Sequence, residues 1–263
     1  AGGRAVILDT HAEGDFRIDP ERLAALVGPR TRAIVLCSPS NPTGALYDEE
    51  TLRTVARVVE ERGTQETFIV TDDIYRRLVY RGHWSSVCKV APELADRVIF
   101  VDGVSKSYAM TGWRIGYCSG PRALVEAMTT LQGQSTTNAT AVAQAAALAA
   151  ITGPQECVET MRQEFDRRRQ VMVSALRAIP GVKCTDPAGA FYAFPDLSAY
   201  VDPDRGVADD MALAELLLER GRVAVVPGSG FLAPGFLRLS YATSMKNIEV
   251  GTARIAEALA SLR

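Results

Sequence analysis

Three short apolar runs constrain the fold of this chain more than any other feature. Ala33-Ile-Val-Leu-Cys37, Phe68-Ile-Val70 and Val98-Ile-Phe-Val101 are nearly continuous in hydrophobicity rather than alternating. That is the pattern of strands covered on both faces. Between the first two lies a helical pattern in which Leu52, Val55, Ala56 and Val59 share one face. Asp48 stands where an N-cap belongs, and Gly63 where a helix can end. Strand, helix and strand in this order predict an α/β protein with a parallel sheet and right-handed crossovers. Ala5 to Leu8 reads as a further strand, and Pro121 opens a helical segment running to Leu131.

The second half changes character. Residues 154–179 read as one long helix, with Cys157, Met161, Phe165, Met172, Leu176 and Ile179 at helical spacing and Arg167, Arg168 and Arg169 off that stripe. At 1.5 Å per residue such a helix is about 40 Å long, and Pro180-Gly181 stops it. Beyond it, short strands at 190–194, 223–226 and 237–241 alternate with helices at 209–220 and 244–262. We therefore expect a large domain over 1–160 and a smaller α+β domain over 161–263, joined through the long helix.

Composition narrows the function classes. The 263 residues are 47% hydrophobic and 23% charged, with a net charge of -2 from 29 basic and 31 acidic residues. This is enough apolar material for a sizeable core, and no basic stripe points to nucleic acid or to an anionic membrane surface. The most apolar stretch, 139–151, is mostly alanine, carries Gln144 and is too short to span a bilayer. The N-terminus lacks a signal-peptide pattern. Five scattered cysteines and two histidines offer no metal-ligand spacing, so we expect no metal and reduced thiols in a cytoplasmic protein.

In an open parallel sheet, ligands bind beyond the carboxyl ends of the strands. After the first run comes Ser38-Pro-Ser-Asn-Pro-Thr-Gly44, and after the second Thr71-Asp-Asp-Ile-Tyr75. After the third comes Asp102-Gly-Val-Ser-Lys-Ser107, followed by Met110-Thr-Gly-Trp-Arg-Ile-Gly116. An amide, a carboxylate, a phenol, a lysine and an arginine are thus directed to one region. Each also has a plain alternative: a turn asparagine at Asn41, an N-cap or surface acid at Asp72, a core tyrosine at Tyr75, a surface lysine at Lys106 and a surface charge at Arg114, and Arg238 could be a strand-edge arginine. Asp73 reads as an N-cap or surface acid. Tyr108, Trp113 and Phe231 read as packing.

These motifs resemble those of the pyridoxal-phosphate (PLP) dependent class I/II aminotransferases of fold type I, and most closely the bacterial aspartate/prephenate subgroup. The resemblance extends through Gln132-Gly-Gln-Ser-Thr-Thr-Asn138, Gly189-Ala-Phe-Tyr192 and Arg238-Leu-Ser-Tyr-Ala242. It implies a three-layer, mostly parallel PLP-binding domain, a smaller C-terminal domain and a homodimer. It implies that Lys106 carries PLP as a Schiff base and serves as general base and acid. Asp72 then pairs with the pyridine nitrogen, Tyr75 and Asn41 hydrogen-bond the phenolic oxygen, and Ser105 and Arg114 hold the phosphate. Arg238 grips the substrate α-carboxylate, and Asn41 is a second substrate-binding residue. A cis peptide at Asn41-Pro42 is also implied. The family usually has Glu where this chain has Asp73. Gly112 and Gly116 around Arg114 suggest close backbone packing.

The implied reaction moves an amino group between an L-amino acid, of aspartate or glutamate type, and a 2-oxo acid. Fold type I also hosts lyases and decarboxylases with the same lysine and aspartate, so these are the enzymatic alternative. An effector-sensing, aminotransferase-like domain is the non-enzymatic one. Family chains also carry a substantial portion ahead of the point where this one begins. By resemblance that portion supplies an aromatic against the cofactor ring, further phosphate contacts and contacts into the partner subunit. The 263 residues alone are therefore expected to bind PLP weakly and to turn over little.

Overall fold

The computed structural model describes residues 2–262. The chain divides into two compact units, one of residues 1–39 with 45–159 and the other of residues 40–44 with 160–263.

In the first unit, α1 (Pro20–Leu26) and β1 (Ala33–Cys37) are followed by α2 (Glu49–Arg62), β2 (Phe68–Asp72) and α3 (Val87–Val90). Then come β3 (Val98–Gly103), β4 (Gly116–Ser119), α4 (Arg122–Ser135), α5 (Ala141–Thr152) and the start of α6 (Glu156–Arg177). The sheet order is β1-β2-β3-β4. β1, β2 and β3 are parallel, with Cys37 beside Asp72 and Asp72 beside Val101, and β4 returns antiparallel to β3. Helix α2 begins where its cap demands: the Asp48 carboxylate accepts from the Thr51 amide at 2.8 Å, and the Gly63 amide donates to the Val59 carbonyl.

One face of this sheet packs as expected and the other does not. Leu36, Ile69 and Val98 join Val55, Val58 and Val59 of α2 and Leu23 of α1 in one buried cluster. Val35, whose side chain alternates to the opposite face, is 71% exposed. Within these residues β1 is covered on one face, while Phe68 and Val70 on the opposite face of β2 are half-buried. Residues 5–8 do not form the expected strand either. Val6 and Ile7 are exposed, and only Leu8 packs against the cluster. Among the described residues nothing pairs with this segment, and without a ladder its backbone hydrogen bonds have no partner strand.

The second unit holds most of α6, then β5 (Tyr192–Ala193), α7 (Asp210–Glu219), β6 (Val226–Pro227), β7 (Leu237–Ser240) and α8 (Met245–Ala260). Its sheet is antiparallel with order β5-β7-β6. Val158, Phe165, Met172 and Leu176 of α6 are buried, whereas Cys157 is exposed. The expected stripe is buried at Phe165, Met172, Leu176 and Ile179, and Cys157 is its exposed exception, with Val158 buried in its place. Arg169 is not a solvent-facing charge. It is 5% exposed and bonded to Asp166 and Asp186, since a buried guanidinium requires acidic partners.

Candidate active site

Adjacent strand ends organise the first unit. β2 ends on Asp72, whose Oδ1 accepts from the Ile74 amide at 3.3 Å. Tyr75, in the turn that follows, is 4% exposed. β3 ends on Gly103, and the next turn carries Ser105 and Lys106, both half-buried, and Ser107, which is buried. The turn is closed by Tyr108 and Ala109 amides donating to the Val104 and Lys106 carbonyls. The Ser105 carbonyl accepts from the Thr111 hydroxyl at 3.0 Å. Register places Asp72 beside Val101, so the Asp72 end and the Lys106 turn leave neighbouring parallel strands in the same direction.

Arg114 is exposed and takes a left-handed conformation at φ 56°, with Nη1 on the Thr111 carbonyl at 3.0 Å. It lines an open cavity of about 940 Å³ shared with Trp113, Gln132, Asn138, Thr140 and Gln144. The flanking glycines do not mark close packing, because a Cβ on Gly112 would meet nothing within 4 Å and one on Gly116 only the Asp102 carbonyl at 3.4 Å. The positive φ belongs to the arginine itself. Trp113, read from sequence as packing, is 44% exposed on the cavity wall. Tyr108 donates to Gln155 Oε1 at 2.8 Å, and Arg77 donates to the same oxygen at 3.0 Å.

A set of residues that the sequence did not single out lies behind the strand ends. Asp102, 4% exposed, accepts from Arg76 Nε at 2.5 Å, from the Tyr117 hydroxyl at 3.0 Å and from the Gly103 amide at 2.7 Å. Burial and the Asp102 charge push the Tyr117 phenol up. Arg76 lies over the rings of Trp84 and Phe100, at 5.4 and 5.7 Å from their centroids. Trp84 in turn donates from Nε1 to Asp73 Oδ1 at 2.8 Å. Asp73 is thus a buried acid, 4% exposed, rather than a cap or surface charge, and burial pushes its carboxyl up. No sequence spacing announces these contacts, because Arg76, Asp102 and Tyr117 meet only through strand pairing.

In the second unit Asn41 and Arg238 come together. Arg238 Nη1 donates to Asn41 Oδ1 at 2.9 Å, and the guanidinium lies 4.7 Å from the Tyr192 ring centroid and 5.0 Å from that of Phe231. Two aromatic faces and one amide oxygen thereby orient a planar cation. Phe231, read from sequence as packing alone, has this further contact. The peptide Asn41-Pro42 is cis, as the resemblance implied, and so is Ser38-Pro39. Gly44, at φ +69°, passes so close to Pro187 that a Cβ would lie 2.4 Å from the proline Cβ.

Comparison with known proteins gives concordant results. The family model "Aminotransferase class I and II" matches residues 1–255. An aspartate aminotransferase of Geobacillus stearothermophilus is 45% identical over 97% of this chain and 64% of its own length. An aspartate/prephenate aminotransferase of Nitrosomonas europaea is 41% identical over 98% of this chain and 66% of its own. The solved aspartate aminotransferase of Rhizobium meliloti superposes with a TM-score of 0.89 at 40% identity, covering 95% of this chain and 63% of that one. The Thermus thermophilus enzyme with maleate gives 0.87 at 41%, covering 96% of this chain and 63% of that one. The chain spans just under two thirds of the length of these relatives.

Proposed function

Because this chain belongs to the aminotransferase class I and II family, with the mostly parallel α/β architecture of fold type I, we propose that it takes part in PLP-dependent transfer of an amino group from an L-amino acid to a 2-oxo acid. The amino acid is of the aspartate or glutamate type, in keeping with the names of the relatives. The observation that carries the reading is the pair of adjacent parallel strand ends that bear Asp72 and the Ser105-Lys106 turn.

The donor set fits PLP chemically. An amine suits its aldehyde, a carboxylate its pyridine nitrogen, and a phenol and an amide its phenolic oxygen. A hydroxyl and a guanidinium suit its phosphate. Asp72, Tyr75, Asn41, Ser105, Lys106 and Arg114 would hold it in these roles. When bound, the cofactor supplies the electron sink for the carbanion formed at the substrate Cα.

The remaining work belongs to side chains. Lys106 Nζ takes the proton from the substrate Cα and holds it for return, as general base and then general acid. The carboxylate of Asp72, half-buried at the end of β2, supplies the negative charge that a protonated ring nitrogen needs. Arg238 binds the substrate α-carboxylate through the two parallel N–H groups of its fork. Its hydrogen bond to Asn41 and its two flanking rings support that role by restricting the guanidinium plane. The reading extends to a cytoplasmic homodimer.

The test is a PLP titration of this chain followed by borohydride reduction and peptide mapping, with Lys106→Ala in parallel. We expect the reduced adduct on the peptide containing Lys106 and none in the variant. An adduct that maps to another lysine would overturn the assignment.

A further inference from the structure

We propose that the small cavity between the ends of β1 and β2 is a permanent site for one water molecule, bound by the carboxylate of Asp73 and the hydroxyls of Ser38 and Ser85. The observation behind it is an orphan atom. Asp73 Oδ2 is buried with no hydrogen-bond partner, while its twin Oδ1 takes the Trp84 indole N–H at 2.8 Å. Leaving a buried oxygen unpaired costs about 1–3 kcal/mol, and more when it carries charge.

Asp73 lines a small, partly enclosed space of about 10 Å³ together with Ser38, Thr71, Ser85 and Val87 among others. That is roughly the volume a single water requires, and a buried water usually makes about three hydrogen bonds. With the Thr71 hydroxyl already turned to the Asp73 carboxyl, donors and acceptors of the other groups balance for one water. Ser38 Oγ accepts from the Tyr47 amide at 2.9 Å, so its own hydrogen is left to donate. Ser85 Oγ donates to Glu49 at 3.1 Å, so its lone pairs are left to accept. A water that accepts from Ser38 and donates to Ser85 and to Asp73 Oδ2 completes all three groups. Ser38, Thr71 and Ser85 are each less than 9% exposed, so bulk solvent does not compete for the site.

The consequence is positional. Such a water joins the residue after β1 to the residue after Asp72, and fixes the exit of β2 from behind. A monovalent cation is the rival occupant, since an all-oxygen lining with one carboxylate also suits it.

The experiment has two arms, and neither depends on PLP, so the cofactor reading can fail or hold separately. In a crystal structure of this chain we expect one fully occupied peak about 2.7–3.2 Å from Asp73 Oδ2 and from Ser38 Oγ, unchanged after soaking in rubidium chloride. An empty space, with Oδ2 bonded directly to a hydroxyl, would overturn the proposal, as would a peak that strengthens with rubidium. In solution, water-oxygen relaxation dispersion should lose one long-lived water when Ser38→Val fills the space. An unchanged amplitude in the folded variant would count against it.

Discussion

Arg238 Nη1 donates to Asn41 Oδ1 at 2.9 Å across 197 positions of sequence, while the rings of Tyr192 and Phe231 stack within 5.0 Å of the same guanidinium. A lysine at this position keeps the charge but loses both the planar fork and the stacking. In the holoenzyme, Arg238→Lys should therefore lower kcat/KM for amino-acid substrates by about 100-fold, which is about 2.7 kcal/mol. Phe231→Leu should cost about tenfold or less, within the 0.5–2 kcal/mol range of a cation–π contact. Steady-state kinetics on both variants checks the order. Equal losses would mean that stacking, not the fork, dominates.

Gly44 secures the segment that carries Asn41. Its carbonyl accepts from the Ala188 and Gly189 amides at 2.9 and 3.0 Å, its φ is +69°, and a Cβ would lie 2.9 Å from the Gly189 oxygen as well as 2.4 Å from Pro187. Left-handed backbone costs a side-chain-bearing residue about 1–2 kcal/mol, and overpacking adds about 1–3. Gly44→Ala should therefore destabilise by about 3 kcal/mol. The denaturation midpoint measures this, and a loss below about 1 kcal/mol would show that the neighbouring backbone relaxes freely.

The parts of this fold written in local chemistry were legible before the structure. Asp48 and Gly63 bracket α2 where capping rules place them, and the apolar runs at 33–37, 68–70 and 98–101 do become neighbouring parallel strands. Alternation of side chains could have flagged Val35, since Leu36 takes the packed face. The Asn41–Arg238 hydrogen bond was not foreseen: resemblance implied only that each residue binds substrate, and nothing local links residues so far apart. The contacts of Asp102 with Arg76 and Tyr117, and the burial of Asp73, had no local signal. They arise from which strand lies beside which, and a charged residue in a sequence does not state whether it will face water.

Arg76 and Asp102 form the pair whose removal should be felt most in the first unit. Asp102 has 3% of its side chain exposed and Arg76 26%. Deleting one partner of a buried ion pair costs about 3–5 kcal/mol, and partial solvent access to Arg76 points to the low end. Arg76→Met should cost about 3 kcal/mol. Asp102→Asn should cost about 1–3 kcal/mol, because the Tyr117 hydroxyl and the Gly103 amide bond different carboxylate oxygens and the single amide oxygen can keep only one of them. The double variant should recover part of the loss of Arg76→Met alone, which a double-mutant cycle in urea would measure. Strict additivity would mean the two groups are not coupled.

Two carboxylates should bend the stability of this chain in opposite directions with pH. Glu49 is pulled down to about 2 by hydrogen bonds from Lys89, Ser85 and Arg53. Its folded form binds its proton less readily than the unfolded form. Its contribution is therefore present above the ordinary carboxylate range and is lost as pH falls toward about 2. Asp73 is pushed up, chiefly by burial. The folded state here holds the proton more tightly. Its contribution is fully present below the unfolded value of about 3.9 and is lost as pH rises through the raised folded value. Asp73→Asn removes only the second effect, since the amide oxygen can still accept from Trp84 and its nitrogen can donate to the water proposed beside Oδ2. The variant should gain stability over the parent at about pH 7 and lose that advantage at about pH 4 or below, while Glu49→Gln should weaken the chain at neutral pH and match it in acid. Urea midpoints across this range decide the matter. A parent and Asp73→Asn pair that track each other at every pH would show that Asp73 titrates like an exposed aspartate.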